Sequence, residues 1–288
     1  TELSKLEKAK ERLEFEVEKR TEEIRNKNRE LETQKEEIQS SIRYASRIQA
    51  AVLPPKKHLD TILKEYFILN KPRDIVSGDF YWTAHNNTHT FFSVGDCTGH
   101  GVPGSFMSML GISSLNDIVK SLPDCTASSV LDLLRKRIHE SLHQDSDRDL
   151  TTYDGMDIGL CIMDPQTNTI QFAAAHNPLY LIRDGELHTY RADKIDIGRY
   201  SVENVEFTNH LIRYQKNDIL YLFTDGYADQ FGGPKGRKYK SQRFRDFLVS
   251  IHNKSMEEQR NLLDQEIESY RGNMPQIDDI MVMGIRIS

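Results

Sequence analysis

The first fifty residues restrict the fold most strongly, because they contain neither glycine nor proline and are crowded with Glu, Lys and Arg. Aliphatic residues recur there every seven positions. The a positions are Leu3, Lys10, Val17, Ile24, Leu31, Ile38, Ala45 and Val52, and the d positions are Leu6, Leu13, Arg20, Lys27, Gln34, Ser41 and Ile48. This period is typical of two supercoiled helices. We therefore expect a long helix in a parallel dimeric coiled coil, weakest at its polar middle d positions; a single solvated helix held by charge pairs is the alternative.

Pro54 and Pro55 end this helix, because proline lacks the amide donor and disfavours α conformation in the residue before it. The sequence thus predicts a coiled-coil signalling and dimerisation helix over residues 1–53 and a second domain over residues 54–288. The predicted homodimer forms through residues 1–53. Because the chain starts at Thr1, we also expect an upstream sensor domain in a longer protein.

The amino-acid composition limits the kinds of binding partner and the cellular compartment that we expect. A net charge of −6 and a pI near 5.9 argue against nucleic acid, whose binders usually display a basic face. The odd, widely spaced cysteines Cys97, Cys125 and Cys161 indicate a reducing compartment without a disulfide framework. No apolar run approaches the roughly 18 residues that span a bilayer, so we expect no membrane insertion. The expected location is the cytoplasm, as a separate protein or as the cytoplasmic part of a larger, membrane-anchored sensor.

Beyond Pro55 the pattern changes to short β-branched and aromatic runs separated by turns. The predicted strands are 66–70, 78–83, 90–94, 157–163, 169–175, 179–183, 205–212, 219–223 and 280–287. The predicted helices are 103–121, 127–143, 241–251 and 256–270. Short turns between strands favour antiparallel hairpins over parallel crossovers. We therefore expect an α+β fold in which helices cover the faces of a mostly antiparallel sheet system.

Acidic residues flank several of these strands: Asp79, Asp96, Asp225 and the pair Asp278-Asp279. A carboxylate buried at a strand end needs a cation, a basic partner or water. If they converge, these side chains form the oxygen-rich site that Mg²⁺ or Mn²⁺ prefers, and two such ions can activate water and stabilise a transferring phosphoryl group. Asp next to Gly is also common turn chemistry, so spacing alone leaves both interpretations open.

Six segments together are more specific. "DIVSGDFYW", "VGDCTGHGVPGSFMSMLG", "DGMDIGLCIMD", "AAAHNPLYLIRDGEL", "LYLFTDGYADQFGG" and "DDIMVMGIRI" occur in the order found in the PPM family of metal-dependent serine/threonine protein phosphatases. They most resemble its SpoIIE/RsbU-like bacterial branch, and "SIRYASRIQAAVLPP" resembles the helix that precedes such domains in signalling proteins. The resemblance covers residues 40–288 and implies an antiparallel β-sandwich flanked by helix pairs, with a two-metal site at one end.

Transferred position by position, the resemblance implies a ligand set for two Mn²⁺ or Mg²⁺ ions. Asp96 matches the carboxylate that bridges both ions, and Cys97 matches a position that offers only its backbone carbonyl. Asp79 matches the acidic residue that reaches one ion, usually through water. Asp225 and Asp278 match the ligands of the other ion.

Some assignments have alternatives. Asp279 replaces Asp278 if the alignment slips by one residue. A third, weaker ion would involve Asp154 or Asp157, and the alternative for Asp157 is a role in capping a strand end. His176 and Asn177 have a family counterpart, but they also suit a simple turn before Pro178.

Two features depart from the eukaryotic members of the family. Thr98 stands where they have a histidine, and the sequence reveals no counterpart of their phosphate-gripping arginine. His100 lies further on and does not take over the histidine's role. We therefore expect the leaving group to be protonated by metal-bound water.

The function implied by the resemblance is hydrolysis of phosphoserine or phosphothreonine on a bacterial regulatory protein by a metal-bridged hydroxide, with Asp96 and Asp225 as catalytic residues. An anti-anti-sigma-factor (STAS-domain) substrate is suggested by analogy. The alternatives are a catalytically degenerate dimeric scaffold and a two-metal nucleotide phosphodiesterase or cyclase, although no phosphate-cradling P-loop is present.

Two further segments are candidates for partner binding and control. The loop "GGPKGRKYKSQRFR" gathers six basic residues in an acidic chain, which suits either a phosphorylated or acidic partner or a merely solvated loop. As a hypothesis, a change in the coiled coil passes through residues 40–53 and moves the helix that starts near Pro103, directly after Asp96. The metal site would then be completed or disrupted.

Overall fold

The computed structural model describes residues 2–86, 88–122, 124–142, 154–198 and 205–288. The chain divides into two compact units, Thr1–Ser46 and Arg47–Ser288. Helix α1, Glu2–Val52, provides the described part of the first unit, and its last residues belong to the second. It ends just before Pro54, as the sequence predicts. The domain boundary between residues 53 and 54 stays a prediction.

In the first unit, α1 exposes its whole apolar stripe. The side chains of Leu3, Leu6, Leu13, Val17, Ile24, Leu31 and Ile38 are all exposed. Ion pairs one turn apart, Lys10–Glu14 and Glu16–Arg20, lie on the surface of the helix. A single chain therefore buries none of these apolar side chains, and the predicted dimer remains a prediction.

The second unit contains the remaining six helices and twelve strands seen in the described residues. The helices are α2 (Lys56–Ile62), α3 (Gly101–Ser121), α4 (Ala127–Ser141), α5 (Gly226–Asp229), α6 (Ser241–Ile251) and α7 (Met256–Arg271). The strands are β1 (Glu65–Lys71), β2 (Phe80–His85), β3 (Thr90–Cys97), β4 (Met156–Asp164), β5 (Thr169–Ala175), β6 (Leu179–Arg183), β7 (Glu186–Tyr190), β8 (His210–Arg213), β9 (Ile219–Phe223), β10 (Phe231–Gly232), β11 (Arg237–Lys238) and β12 (Ile280–Arg286).

Two five-stranded antiparallel sheets stack face to face. One has the order β1-β12-β9-β6-β7 and the other β2-β3-β4-β5-β8. Three apolar clusters separate the layers: one between the sheets, one under α3 and α4, and one under α6 and α7. The architecture is therefore a four-layer sandwich of helices, sheet, sheet and helices. This confirms the α+β fold of an antiparallel β-sandwich flanked by helices.

Local sequence signals explain where two helices begin. Thr126 and Ser129 form a reciprocal capping box at the start of α4, and Ser255 and Glu258 form another at the start of α7. Each box satisfies backbone groups that the first helical turn leaves without partners. None of the helices in the described residues is long and apolar enough to cross a membrane.

Several predicted boundaries were wrong. Of the predicted strand 205–212, only residues 210–212 lie in a strand, β8 (His210–Arg213). The elements β7, β10, β11, α2 and α5 were not predicted. These elements are short or amphipathic, so their sequence periodicity is weak. The end of the predicted helix 127–143, His143, lies outside the described residues. Strand β3 continues to Cys97, so Asp96 lies inside the strand and not after it.

Candidate metal centre

The space between the two sheets opens at one end into a cluster of carboxylates. Phe92 and Val94 point into the apolar layer between the sheets, and side chains alternate along a strand, so Asp96 faces the same space at its end. Asp157 of β4 lies directly opposite Asp96 in the sheet register. On the other side, β2 pairs Phe80 with Gly95, which brings the preceding residue, Asp79, beside Asp96.

Asp96 is the centre of this cluster. Its carboxyl group interacts electrostatically with the carboxyl groups of Asp79 and Asp225. Burial raises the pKa of Asp96 to about 8, and the negative charges of Asp225, Asp278 and Asp157 add to the rise. Neighbouring carboxylates that are taken out of water disfavour each other's charged form, so the cluster is electrostatically costly without a positive charge.

Asp79 is almost completely buried, with 3% of its surface exposed. The hydroxyl group of Thr224 donates a hydrogen bond of 2.7 Å to Oδ2 of Asp79 and accepts one of 3.0 Å from the amide of Met281. Burial raises the pKa of Asp79 well above its usual value; the charge of Asp96 adds to the rise, and the bond from Thr224 opposes it. Thr224 therefore fixes the carboxylate in one orientation.

Asp225 and Asp278 come from the other sheet. Strands β9 and β12 are antiparallel neighbours, with Phe223 opposite Val282, so the end of β9 and the start of β12 lie side by side. Burial raises the pKa of both carboxyl groups. The nearby charge of Asp229 also raises that of Asp225. The two sheets thus contribute carboxylates to the same cluster from opposite sides.

Asp279 performs a different task from its neighbour Asp278. Its buried carboxylate accepts hydrogen bonds from the amide of Arg73 at 2.7 Å and from the amide of Gly78 at 2.8 Å. It therefore ties the loop before Asp79 to the start of β12. The half-buried Asp278 is left facing the cluster, which favours it over Asp279 as a ligand; the assignment stays a prediction.

Close backbone packing explains two of the glycines around the cluster. A Cβ atom on Gly78 would lie 2.7 Å from the carbonyl oxygen of Gly99 and 3.2 Å from that of Cys97. A Cβ atom on Gly104, in the first turns of α3, would clash with the same Gly99 oxygen. Neither position therefore has room for a side chain. The Cys97 thiol lies in the core under α3 and α4, while its carbonyl approaches Gly78.

Asp157 and Asp154 were considered as ligands of a third ion, and they differ in burial. Burial raises the pKa of Asp157 to about 6, an effect that the charge of His176 opposes. His176 has a left-handed backbone conformation, with φ of 61°, and its Nε2 lies 2.8 Å from Oδ1 of Asp196. Asp154 precedes β4 and is exposed. Asp157 therefore adjoins the cluster, and the choice between Asp154 and Asp157 for a third ion stays a prediction.

Some residues near the cluster were not singled out from the sequence. Besides Thr224, these are Arg73, which donates a hydrogen bond of 2.9 Å to the carbonyl of Ile277, and Gln49 of α1. The positive charges of His100 and Arg73 oppose the rise in the pKa of Asp278. The position of Thr224 beside Asp225 was a usable signal, but the roles of Arg73 and Gln49 depend on long-range contacts.

The donor set fits a hard divalent cation. Carboxylate and carbonyl oxygens dominate, and of the described Lys and Arg side chains none forms an ion pair with Asp79, Asp96, Asp225 or Asp278. Within the described residues, no group of three or more His, Cys, Asp and Glu side chains already has the arrangement of a metal site. The role of these carboxylates as metal ligands therefore stays a prediction.

The comparisons with known proteins identify this architecture. The family profile of stage II sporulation protein E, SpoIIE, matches residues 86–288. The chain belongs to the SpoIIE family. This confirms the family resemblance inferred from the ordered motifs, although the first motif, which contains Asp79, lies before the matched range.

Solved structures extend the comparison to most of the SpoIIE-like chain. The SiaA-PP2C domain of Pseudomonas aeruginosa is 31% identical, with a TM-score of 0.79, over 88% of this chain and 98% of that one. The PP2C phosphatase domain of SpoIIE from Bacillus subtilis, solved with a fragment of its regulatory domain, is 19% identical, with a TM-score of 0.62, over 78% and 61% of the two chains.

A third structure is RsbX in complex with magnesium, which is 13% identical, with a TM-score of 0.51, over 77% of this chain and 94% of that one. A search of curated protein sequences found no match. The fold of this SpoIIE-family chain is thus that of a PP2C-type phosphatase, a class that generally depends on Mn²⁺ or Mg²⁺.

Proposed function

We propose that the chain is a Mn²⁺- or Mg²⁺-dependent phosphatase that hydrolyses phosphoserine or phosphothreonine on a bacterial regulatory protein. The observation that carries this proposal is the convergence of Asp79, Asp96, Asp225 and Asp278 at one end of the sandwich. Buried like charges of this kind lower stability, so a chain that retains them needs a compensating cation. Membership of a family with phosphatase folds supports the same reaction class.

The residues present would hold two divalent cations. The residues that would hold them are Asp79, Asp96, Asp225 and Asp278 with their carboxylates and Cys97 with its backbone carbonyl. Such cations, when bound, lower the pKa of a water molecule and neutralise charge on the transferring phosphoryl group. The magnesium complex of RsbX supports this choice of metal. A third ion at Asp157 stays an open proposal.

The other task of the chain is to position a phosphate monoester over this acidic site. Arg73 places positive charge next to Asp278, at the border of the cluster, and the side chain of His100 lies nearby. His100 itself lies 2.9 Å from Asp74 through its Nδ1, so its orientation is restrained. We infer that Arg73 offsets the repulsion between the carboxylates and an incoming phosphate. It was not recognised from the sequence as a phosphate-binding residue.

Release of p-nitrophenol from p-nitrophenyl phosphate, with and without Mn²⁺, tests the reaction. Asp96→Asn should lower kcat/KM by at least about a hundredfold, since it removes the carboxylate shared by both ions. Asp117→Asn is the matched control, because that carboxylate is exposed on α3 and its ion pair among the described residues is with Arg137 at 3.7 Å. Calorimetric titration with MnCl₂ should show binding to the wild type and to Asp117→Asn, and much weaker binding to Asp96→Asn.

These measurements also decide between the proposal and its rivals. Metal binding without turnover of any phosphomonoester would contradict the phosphatase proposal and favour the alternative of a dimeric scaffold. Hydrolysis of a cyclic nucleotide in preference to a phosphopeptide would favour a phosphodiesterase. The natural substrate, for which a STAS-domain protein is the suggestion by analogy, would be found by following which phosphosites disappear from a host extract.

We also propose that the N-terminal helix controls the site. In the second unit, Gln49 of α1 is buried, and its side-chain amide donates to the carbonyl of Ser77 at 2.6 Å and to Oγ of Ser108 at 2.9 Å. Its Oε1 accepts from the amide of Ser77 at 3.1 Å. The Ser77 hydroxyl in turn accepts from the amide of Asp79. A rotation of α1 would therefore disturb the loop that carries one of the proposed ligands.

A further inference from the structure

Positive charge in this acidic chain is concentrated in one segment next to the metal centre. Residues 229–245 contain six Lys and Arg against one Asp, while the whole chain has a net charge of −6. The segment includes the hairpin formed by β10 and β11 and the first turn of α6. Its basic residues are Lys235, Arg237, Lys238, Lys240, Arg243 and Arg245.

The hairpin is held in a defined position. The amide of Tyr239 donates to the carbonyl of the fully buried Gln230 at 2.9 Å. On the other side, the Tyr270 hydroxyl of α7 donates to the carbonyl of Arg237 at 2.8 Å, and the Tyr270 carbonyl accepts from the amide of Gly233 at 2.7 Å. Its charges are thus presented on a fixed support, so that little conformational freedom is lost when a partner binds.

The hairpin lies next to the carboxylate cluster. Asp229 follows Asp225 by one turn of α5, with a hydrogen bond of 2.9 Å between its amide and the carbonyl of Asp225. The ammonium group of Lys238 lies 2.6 Å from Oδ2 of Asp229. The basic segment therefore begins within one helical turn of a proposed metal ligand.

The six basic residues divide into two groups of three. Lys238 pairs with Asp229, Arg243 pairs with Glu266, and Arg245 donates a hydrogen bond to Gln242. Lys235, Arg237 and Lys240 are exposed, and within the described residues no acidic side chain forms an ion pair with them. Their charge is directed to solvent beside the cleft and is not needed for internal pairing.

We propose that the hairpin of β10 and β11, through Lys235, Arg237 and Lys240, is the docking surface for acidic residues that flank the phosphorylated residue of the protein substrate. This proposal rests on the proposed phosphatase function and adds the substrate class. An acidic chain with an acidic cleft repels an acidic partner. A basic surface beside the cleft offsets this repulsion and fixes which part of the substrate segment enters the cleft. When the phosphorylated residue enters the cleft, the residues that flank it in the substrate lie beside the hairpin.

Phosphopeptide kinetics with the 288-residue chain test the docking surface. Two peptides of equal length carry phosphoserine flanked by Asp and Glu or by Gly and Asn. In the Lys235→Glu/Arg237→Glu variant, kcat/KM for the acidic peptide should fall about tenfold, mainly through KM, with less than about a twofold change for the neutral peptide. The wild-type preference for the acidic peptide should also decline as salt rises, because exposed charges are screened.

The matched control is Arg213→Glu/Lys216→Glu, which likewise reverses the charge of one Arg and one Lys, at exposed positions before β9 and thus at the opposite end of that strand from Asp225. It should leave the acidic peptide's kcat/KM within about twofold of the wild type. Equal losses for both peptides, or an equal loss in the control, would overturn the docking surface. Binding of the hairpin to anionic phosphatidylserine vesicles, with peptide kinetics unaffected by the double variant, would assign the charge to a membrane instead and overturn it as well.

A second measurement tests the docking surface independently of the proposed phosphatase activity. Fluorescence anisotropy with a labelled acidic peptide that carries a non-hydrolysable phosphoserine analogue measures binding without turnover. Hairpin-dependent binding with no hydrolysis of p-nitrophenyl phosphate would support the docking surface and contradict the proposed function. Mn²⁺-dependent hydrolysis without any hairpin-dependent binding would support the function and contradict the docking surface.

Discussion

Thr224 shows how one hydroxyl group can order an acidic cluster. It is completely buried, donates to Asp79 and accepts from the amide of Met281, so it joins the end of β9, the start of β12 and the residue before β2. A buried hydroxyl with both partners satisfied stabilises a unique arrangement, whereas its loss leaves two polar groups without partners. We therefore regard Thr224 as a positioning residue for Asp79.

Replacing Thr224 tests this role. Thr224→Val keeps the volume but removes the hydroxyl, so we expect about a tenfold loss of Mn²⁺ affinity and about 1–3 kcal/mol lower stability from the two unpaired groups. Thr224→Ser keeps the hydroxyl and should restore most of the Mn²⁺ affinity. Calorimetry with MnCl₂ and urea denaturation measure the two effects. Wild-type Mn²⁺ affinity in Thr224→Val, or an equal loss in Thr224→Ser, would show that the hydroxyl does not position the carboxylate.

For single residues, the sequence predicted which carboxylates lie near one another but not how they are held. Asp79, Asp96, Asp225 and Asp278 were selected from ordered motifs, and their charges interact in the structure, while their role as metal ligands stays a prediction. The bonds to the Asp279 carboxylate come from residues about two hundred positions earlier in the chain, and no local pattern reports such a contact.

At the element scale, the last turns of α1 are part of the phosphatase unit and not merely a connection to it. Gln49 makes three hydrogen bonds to Ser77 and Ser108, and thereby links α1 to the loop before Asp79 and to α3. Ser108 lies in the same helix as Gly104, which packs against Gly78. One side chain thus contacts two of the elements that surround the carboxylates.

Gln49→Ala should disturb the metal centre from outside it. The substitution leaves the buried amide and carbonyl of Ser77 without the Gln49 partner, so we expect a loss of about 1–3 kcal/mol in unfolding free energy. If α1 controls the site, the Mn²⁺ affinity and the kcat for p-nitrophenyl phosphate should change as well. Gln215→Ala is the control, since Gln215 is exposed in the turn before β9.

The informative result is the relation between the two readouts. Lower stability with wild-type Mn²⁺ affinity and kcat in Gln49→Ala would assign the residue a structural role only and would contradict control through α1. A change in Mn²⁺ affinity under conditions in which the variant is fully folded would support it. Comparison at a temperature well below both unfolding transitions ensures that condition.

The elements themselves were predicted to different degrees, for a physical reason. Strands such as β5, β6 and β9 are buried on both faces, so they form apolar runs whose limits the sequence predicted correctly. β7 has three exposed residues among its five, and the hairpin of β10 and β11 has only two residues in each strand. Their pairing is set by neighbouring strands, which a local pattern does not contain.

At the scale of the whole molecule, the two units differ in how their apolar residues are covered. The second unit buries its apolar side chains in three clusters between its layers. From Leu3 to Ile38, the large aliphatic residues of the first unit are exposed, with Ile24 at 58% and Leu31 at 61%. Exposed apolar side chains that repeat with a period of seven are the signature of an interface between helices, so we propose that a second copy of the chain covers them.

Charge placed on this stripe should separate the copies. The variant Ile24→Glu/Leu31→Glu puts two carboxylates at a positions, where a parallel dimer would bring them against their symmetry mates, and the dimer should dissociate at micromolar concentration. The variant Asn26→Glu/Thr33→Glu adds the same charge outside the a and d positions and should remain dimeric. Sedimentation equilibrium of the full chain measures both masses. A monomeric wild type, or equal dissociation of the two variants, would contradict the coiled coil.

Because the substitutions lie far along the chain from Asp96, a change in kcat that accompanies only the first variant would in addition connect dimerisation with the metal centre.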